Sequence, residues 1–159
     1  MLLSRRTFIA SSAAILGAPY VVRGNAPFVV EMLNKHPEDR KKRMIFLPRL
    51  AVIGTNETVL FRATDRSHNS ASSDGMIPDG AEPWKGELSK DIEVTFTVPG
   101  IYGYACTPHI AGGMVGAVVV RGEGVLNNLE AAKSVKQRGK AKKRFAEIFD
   151  EIEAMDLSV

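Results

Sequence analysis

The 159-residue sequence contains a single cysteine, Cys106, and only three histidines. A lone cysteine cannot form an internal disulfide, so disulfides do not hold this fold together. Long hydrophobic runs are also missing. The apolar run near the N-terminus is shorter than the roughly 20 residues that a membrane-spanning helix needs. The composition therefore excludes a disulfide scaffold and argues against a membrane anchor.

A strong excess of one charge is missing as well. The chain has 21 basic and 18 acidic side chains, and Arg5, Arg6 and Arg23 lie in the first 26 residues, which contain no acid. Without these three, 18 basic side chains balance the 18 acidic ones. Nucleic-acid-binding proteins usually present a strong positive field. The charge balance therefore argues against a nucleic-acid partner.

Residues 1–26 have the layout of an export signal, with paired arginines, a short apolar run and small residues at the end. Ser4 before the pair and Phe8 two positions after it resemble the twin-arginine signal of bacterial export. We therefore expect residues 1–26 to be removed, leaving a soluble protein in the periplasm.

Short segments rich in β-branched and aromatic residues follow the signal, and several alternate apolar with polar positions, as half-buried strands do. They cover residues 28–33, 44–47, 57–64, 91–98, 101–106 and 115–121. Many short strands separated by turn residues are typical of a β-sandwich. The sequence predicts a mainly β fold over residues 27–124.

The pattern changes to helical after Gly124. Residues 127–135 form a short helix candidate, with Asn127 or Asn128 as its N-cap. Between residues 140 and 155, apolar side chains recur every three or four positions, which indicates an amphipathic helix. We expect both helices, within residues 125–159, to pack on the same domain rather than to bind a partner.

The stretch "YACTPHIAGGMVG" places Cys106, His109 and Met114 within nine residues, between the end of one predicted strand and the start of the next. An inert buried thiol and a cysteine nucleophile with a histidine base are the alternatives. A nucleophile has no use for the methionine, and no oxyanion motif is evident. Thiolate, imidazole and thioether together suit one copper ion, whereas zinc would not ordinarily take a methionine.

A site with two histidines, one cysteine and a weak axial methionine needs another imidazole. His68, in "TDRSHNSAS", follows a predicted strand as Cys106 does. His36, in "NKHPEDRKKR", lies among charges, as a solvated loop histidine would. We favour His68 as the fourth ligand and keep His36 as the alternative.

With these residues in place, the sequence resembles the pseudoazurins, blue copper proteins of the cupredoxin superfamily. The resemblance is carried by "MLNK", "DRSHN", "GMIPDGAE", "VTFTVPGIYGYACTPH" and "GMVG". It implies a cupredoxin-type Greek-key β-sandwich with two C-terminal α-helices. It also implies a periplasmic electron carrier, not an enzyme, with a type 1 copper site at His68, Cys106, His109 and Met114.

Residues beside the ligands have predicted roles as well. Asn69 would tie the two ligand loops together, with Thr107 as its partner. Pro108 removes a backbone N–H near the thiolate, so we favour a role in setting its potential over the alternative that it only forms the turn. Met44 is either a contact of the site or an ordinary core residue.

The resemblance also implies that His109 reaches the surface within an apolar patch, where partners dock and electrons pass. The expected docking residues are Lys35, Arg66, Lys85 and Ile110. The partners implied are a nitrite reductase as acceptor and a c-type cytochrome or respiratory complex as donor, with the protein a monomer. The alternative is a periplasmic copper carrier. Ala105, Ile110 and Gly112 depart from the usual family residues, which affects the docking surface rather than the ligands.

Overall fold

The computed structural model describes residues 26–157, so the predicted export signal lies outside the described residues except for Ala26. This part of the chain forms eight strands, a short 3-10 helix at Thr107–Gly112 and two α-helices. The strands are β1 (Phe28–Lys35), β2 (Arg43–Leu47), β3 (Leu50–Gly54), β4 (Glu57–Arg62), β5 (Ala71–Ser72), β6 (Ile92–Phe96), β7 (Gly100–Ala105) and β8 (Val115–Arg121). The helices are α1 (Leu129–Ser134) and α2 (Gly139–Glu153).

The strands form two four-stranded sheets, in the orders β2-β1-β4-β6 and β3-β8-β7-β5. The pairs β1/β4 and β3/β8 are parallel, and the other pairs are antiparallel. The chain passes repeatedly from one sheet to the other, which confirms the predicted mainly β sandwich with two C-terminal helices.

Two apolar layers hold the fold together. The first lies between the sheets and includes Phe46, Phe61, Trp84, Tyr104 and the site residues Cys106 and Met114. The second lies between the β7/β8 face and the helices, where Phe145 and Ile148 belong to the same buried cluster as Val119. Because β7 and β8 are covered on both faces, the run of valines in β8 is buried throughout.

The sequence patterns do not predict β3 and β5. β5 is two residues long, too short for any periodicity, and it is defined by pairing with β7. β3 contains Ala51 and Gly54, which have low intrinsic strand preference, and it owes its conformation to parallel pairing with β8. Both strands depend on partners that are distant in sequence.

The helices lie where the sequence predicts them, and Asn128 stands at the predicted N-cap position of α1, but its side chain makes no capping hydrogen bond. Its amide bonds instead to the backbone of Ile101 in β7, accepting at 2.9 Å and donating at 2.7 Å. The bonds to Ile101 therefore use the side-chain groups that a local cap would need.

No helix between residues 26 and 157 is long and apolar enough to cross a membrane.

Candidate metal centre

Two loops at one end of the sandwich bring His68, Cys106 and His109 together. The Cys106 sulfur lies 3.4 Å from His109 Nδ1 and 3.8 Å from His68 Nδ1, and the two imidazole nitrogens are 3.2 Å apart. Cys106 follows β7 directly, and His109 lies in the 3-10 helix. His68 reaches them from the loop between β4 and β5.

This geometry fits a metal ion. A first-row ion is bonded about 2.0 Å from an imidazole nitrogen and about 2.3 Å from a thiolate. Three ligand atoms that are 3.2 to 3.8 Å apart surround such a point. His68 and Cys106 are fully buried, whereas His109 is partly exposed. The three ligand atoms can therefore bind one ion that water approaches only at the His109 side.

Met114 is adjacent to this cluster and fully buried. Its carbonyl oxygen accepts the Cys106 N–H at 3.0 Å, and its N–H donates to the His109 carbonyl oxygen at 3.2 Å. Its side chain packs in the same apolar cluster as Cys106. A buried thioether beside a thiolate and two imidazoles favours copper over zinc.

Asn34 orients His68, and the sequence patterns did not identify this role. Asn34 Oδ1 lies 3.0 Å from His68 Nε2, so this nitrogen carries the proton and donates it. His68 Nδ1 is then left with its lone pair directed at the cluster. The available signal was the position of Asn34 in the "MLNK" stretch.

Asn69 joins the two ligand loops. Its Oδ1 accepts the Thr107 N–H at 2.8 Å, and its Nδ2 donates to Thr107 Oγ1 at 3.1 Å and to the Gly86 carbonyl at 3.0 Å. Because Asn69 is adjacent to His68 and Thr107 to Cys106, these bonds set the separation of two ligands. Pro108, which lies between Thr107 and His109 in the chain, is exposed.

Burial and hydrogen bonding set the protonation of the ligands. Burial raises the pKa of the Cys106 thiol, while the backbone N–H groups of Asn69 and His109 act to lower it. Burial lowers the pKa of His68, and the charge of His109 lowers it further, against the opposing effect of Asp65. At neutral pH these shifts favour the thiol form of Cys106 and the neutral form of His68 in the metal-free site, so metal binding must displace the thiol proton.

His36 does not contribute to this cluster. Its Nδ1 accepts the backbone N–H groups of Glu38 at 3.1 Å and Asp39 at 3.2 Å, so it stabilises its own loop. The choice of His68 over His36 as the second histidine agrees with the cluster that the described residues form.

Comparison with known proteins agrees with this site. Residues 32–121 match the family model of copper binding proteins, plastocyanin/azurin family. The pseudoazurin of Methylorubrum extorquens is 35% identical over 153 residues, which cover 96% of this chain and 100% of the relative. The pseudoazurin of Paracoccus pantotrophus is 37% identical over 136 residues, which are 86% of this chain and 90% of the relative.

A solved pseudoazurin structure from Sinorhizobium meliloti gives a TM-score of 0.74 at 46% identity, covering 80% of this chain and 97% of that one. The chain belongs to the pseudoazurin family. Its copper site is formed by His68, Cys106, His109 and Met114. Pseudoazurins are electron carriers, so this protein transfers electrons and is not an enzyme.

As in a type 1 site, bound copper supplies one-electron chemistry between its two oxidation states. The chain contributes a fixed frame, because His68 is oriented by Asn34 and the ligand loops are joined by Asn69. Ligands that are held in place before and after electron transfer keep the rearrangement small.

The residues that we expect to dock partners lie at the surface of this pseudoazurin. Lys35, Arg66 and Lys85 are exposed. Lys35 follows Asn34, Arg66 lies two positions before His68, and Lys85 precedes Gly86, which accepts a bond from Asn69. Ile110 is 36% exposed beside His109. Met44 is half-buried against the cluster that contains Cys106 and Met114.

Proposed function

We propose that the protein is a soluble, monomeric periplasmic electron carrier that passes electrons from a c-type cytochrome or respiratory complex to a reductase such as nitrite reductase. The export signal at residues 1–26 supports the location. The mature chain would form one domain, a sandwich over residues 27–124 with the helices of 125–159 packed on it. Membership of the pseudoazurin family supports the electron-carrier role.

The observation that carries the proposal is the contrast in exposure of the ligands. His68, Cys106 and Met114 are fully buried, whereas His109 is partly exposed and is followed by exposed Ile110. Electrons would therefore enter and leave through the His109 edge, within a small apolar patch. Lys35, Arg66 and Lys85 are exposed, lie within two positions of Asn34, His68 and Gly86 in the chain, and would attract acidic partners.

Asn69, Thr107 and Pro108 would tune the reduction potential of the copper through the hydrogen bonds near the Cys106 thiolate.

The first prediction concerns the copper spectrum. The copper(II)-loaded protein should absorb visible light intensely through charge transfer from the Cys106 thiolate, and the colour should bleach and return through repeated reduction and oxidation. Cys106→Ala should abolish the colour. His36→Ala should leave it unchanged, because His36 lies in a separate loop. A coloured Cys106→Ala variant, or a colourless parent adduct, would contradict the assignment.

The same experiment separates an electron carrier from a copper carrier when a copper(I) chelator is present. An electron carrier retains its copper through many redox cycles, because the ligands form a buried, hydrogen-bonded frame. Transfer of the copper to the chelator on each reduction would instead favour the copper carrier.

A further inference from the structure

Helix α2 packs directly on the loop that connects the copper ligands. Gly113, which precedes Met114, has φ 86° and ψ 24°, a left-handed conformation that favours glycine. A Cβ at this position would lie 3.0 Å from both Arg144 Cδ and Lys140 Cβ of α2. The helix therefore approaches the ligand loop as closely as a residue without a side chain allows.

Arg144 bonds to the backbone on one side of Met114. Its Nη1 donates to the Gly113 carbonyl oxygen at 2.5 Å. The same oxygen accepts the Val115 N–H at 3.0 Å, which closes a three-residue turn with Met114 at its centre. The oxygen held by Arg144 thus belongs to the backbone turn that has Met114 at its centre.

The same guanidinium nitrogen holds a second segment. Arg144 Nη1 donates to the Met44 carbonyl oxygen at 3.2 Å. Met44 has φ 50°, a left-handed conformation that a non-glycine residue adopts only when its surroundings impose it. Its side chain packs against the cluster containing Cys106 and Met114. Arg144 therefore joins α2, the strained start of β2 and the ligand loop at one point.

Arg144 donates its hydrogen bonds to backbone carbonyl oxygens, whereas the acidic side chain of Glu147 accepts from Arg49. Glu147, one turn along α2, accepts from Arg49 Nη1 at 2.9 Å. Arg49 also pairs with Glu151. Both bonds leave one nitrogen, Nη1, whose two N–H groups are fixed in the plane of the guanidinium, and a lysine ammonium with freely rotating donors does not reproduce that geometry.

We propose that Arg144 is a positioning residue for the copper site, which fixes the backbone that carries Met114 relative to His68, Cys106 and His109. It acts through the Gly113 carbonyl and the Met44 carbonyl rather than by contact with the metal. The inference rests on the copper site itself and is independent of the location and partner of the protein. Through Arg144, the C-terminal helix α2 would help to determine how Met114 is placed relative to the other copper ligands.

The test compares Arg144→Met, which keeps the apolar stem but loses both bonds, with Arg144→Lys and the parent. Lys143→Met is the matched control, since Lys143 is an exposed neighbour on the same helix. The readouts are the EPR spectrum and the ratio of the two visible charge-transfer bands of the copper(II) protein, both sensitive to the axial ligand. A third is the exchange rate of the Val115 amide in the copper-free protein.

Arg144→Met should alter the EPR spectrum and the band ratio and speed Val115 exchange about tenfold, which corresponds to about 1.4 kcal/mol. Arg144→Lys should fall between the parent and Arg144→Met, and Lys143→Met should match the parent. Parent-like spectra and Val115 exchange in Arg144→Met, even with a lowered melting temperature, would overturn the proposal. If Arg144→Met does not fold, parent-like spectra in Arg144→Lys would overturn it too. A colourless parent would instead count against the copper site.

Discussion

At the residue scale, the copper site depends on one amide that does not touch the metal. Asn34 Oδ1 accepts a hydrogen bond from His68 Nε2 at 3.0 Å and thereby fixes which nitrogen faces the ligand cluster. Asn34 is itself held, because its backbone N–H donates to Asp65 Oδ2 at 2.6 Å. Such outer hydrogen bonds are typically worth about 10- to 100-fold in metal affinity.

We therefore predict that Asn34→Leu weakens copper binding about 10- to 100-fold, because buried His68 loses its acceptor and its preferred orientation. Competition against a chelator measures the change. Asn34→Asp keeps an acceptor oxygen beside His68 and should retain copper within a few-fold of the parent. Equal weakening by both substitutions would mean that the size of the side chain, and not the hydrogen bond, matters here.

The ligands could be predicted from the sequence, whereas the residues that position them could not. Thiolate, imidazole and thioether within one short loop have few uses other than copper, so residue type and spacing indicated Cys106, His109 and Met114. His68 was favoured over His36 because it follows a predicted strand, as Cys106 does. Asn34 is 34 positions from His68, and Arg144 is 31 positions from Gly113. Asparagine and arginine serve many ordinary roles, so only the tertiary contacts reveal these two.

At the element scale, β7 and β8 support the site because they form the central pair of their sheet. Tyr104 of β7 lies directly opposite Gly116 of β8. The Tyr104 ring packs edge-on against Phe46 at 4.7 Å and Phe61 at 4.9 Å between centroids. A Cβ at Gly116 would overlap this ring and lie 2.7 Å from the Arg49 carbonyl oxygen. The glycine thus provides the space that the tyrosine fills.

From this close contact we predict that Gly116→Ala lowers the free energy of unfolding by about 1–3 kcal/mol, as overpacked cores do. Urea denaturation of the copper-free protein measures it without a contribution from bound metal. Gly112→Ala is the matched control, because a Cβ there meets no atom within 4 Å, and its stability should stay near the parent's. If Gly116→Ala were as stable as Gly112→Ala, the sheet would have to shift more easily than this packing indicates.

Strand and helix predictions succeeded or failed according to where each element finds its partners. β8 and α2 have long apolar patterns of their own, so the sequence predicted them. β5 consists of Ala71 and Ser72 and exists through its pairing with β7. Asn128 shows the same effect in a single residue, since its bonds to Ile101 replace the expected local cap. Elements defined by distant contacts leave little local signal.

At the scale of the whole molecule, the sandwich separates the copper end from the opposite end of β8. Met114 precedes the strand, and Arg121 ends it about 20 Å away at the usual rise per residue. Three basic residues are close in the chain to residues of the copper end. Lys35 follows Asn34, which bonds to His68, and Arg66 lies two positions before His68. Lys85 precedes Gly86, whose carbonyl accepts a bond from Asn69. Although residues 27–159 carry equal numbers of basic and acidic side chains, three of the basic ones lie near the copper ligands in the chain.

This distribution leads to a prediction for electron transfer to an acidic redox protein. The bimolecular rate should fall as salt rises, because exposed charges are screened beyond about 8 Å at physiological ionic strength. Replacing Lys35, Arg66 and Lys85 together by Gln should slow the low-salt rate about tenfold, the lower end of electrostatic steering, and flatten the salt dependence. Arg121→Gln removes an exposed charge from the far end and should leave both nearly unchanged. A flat salt response in the parent, or an equal effect of Arg121→Gln, would show that the apolar patch around Ile110 alone governs docking.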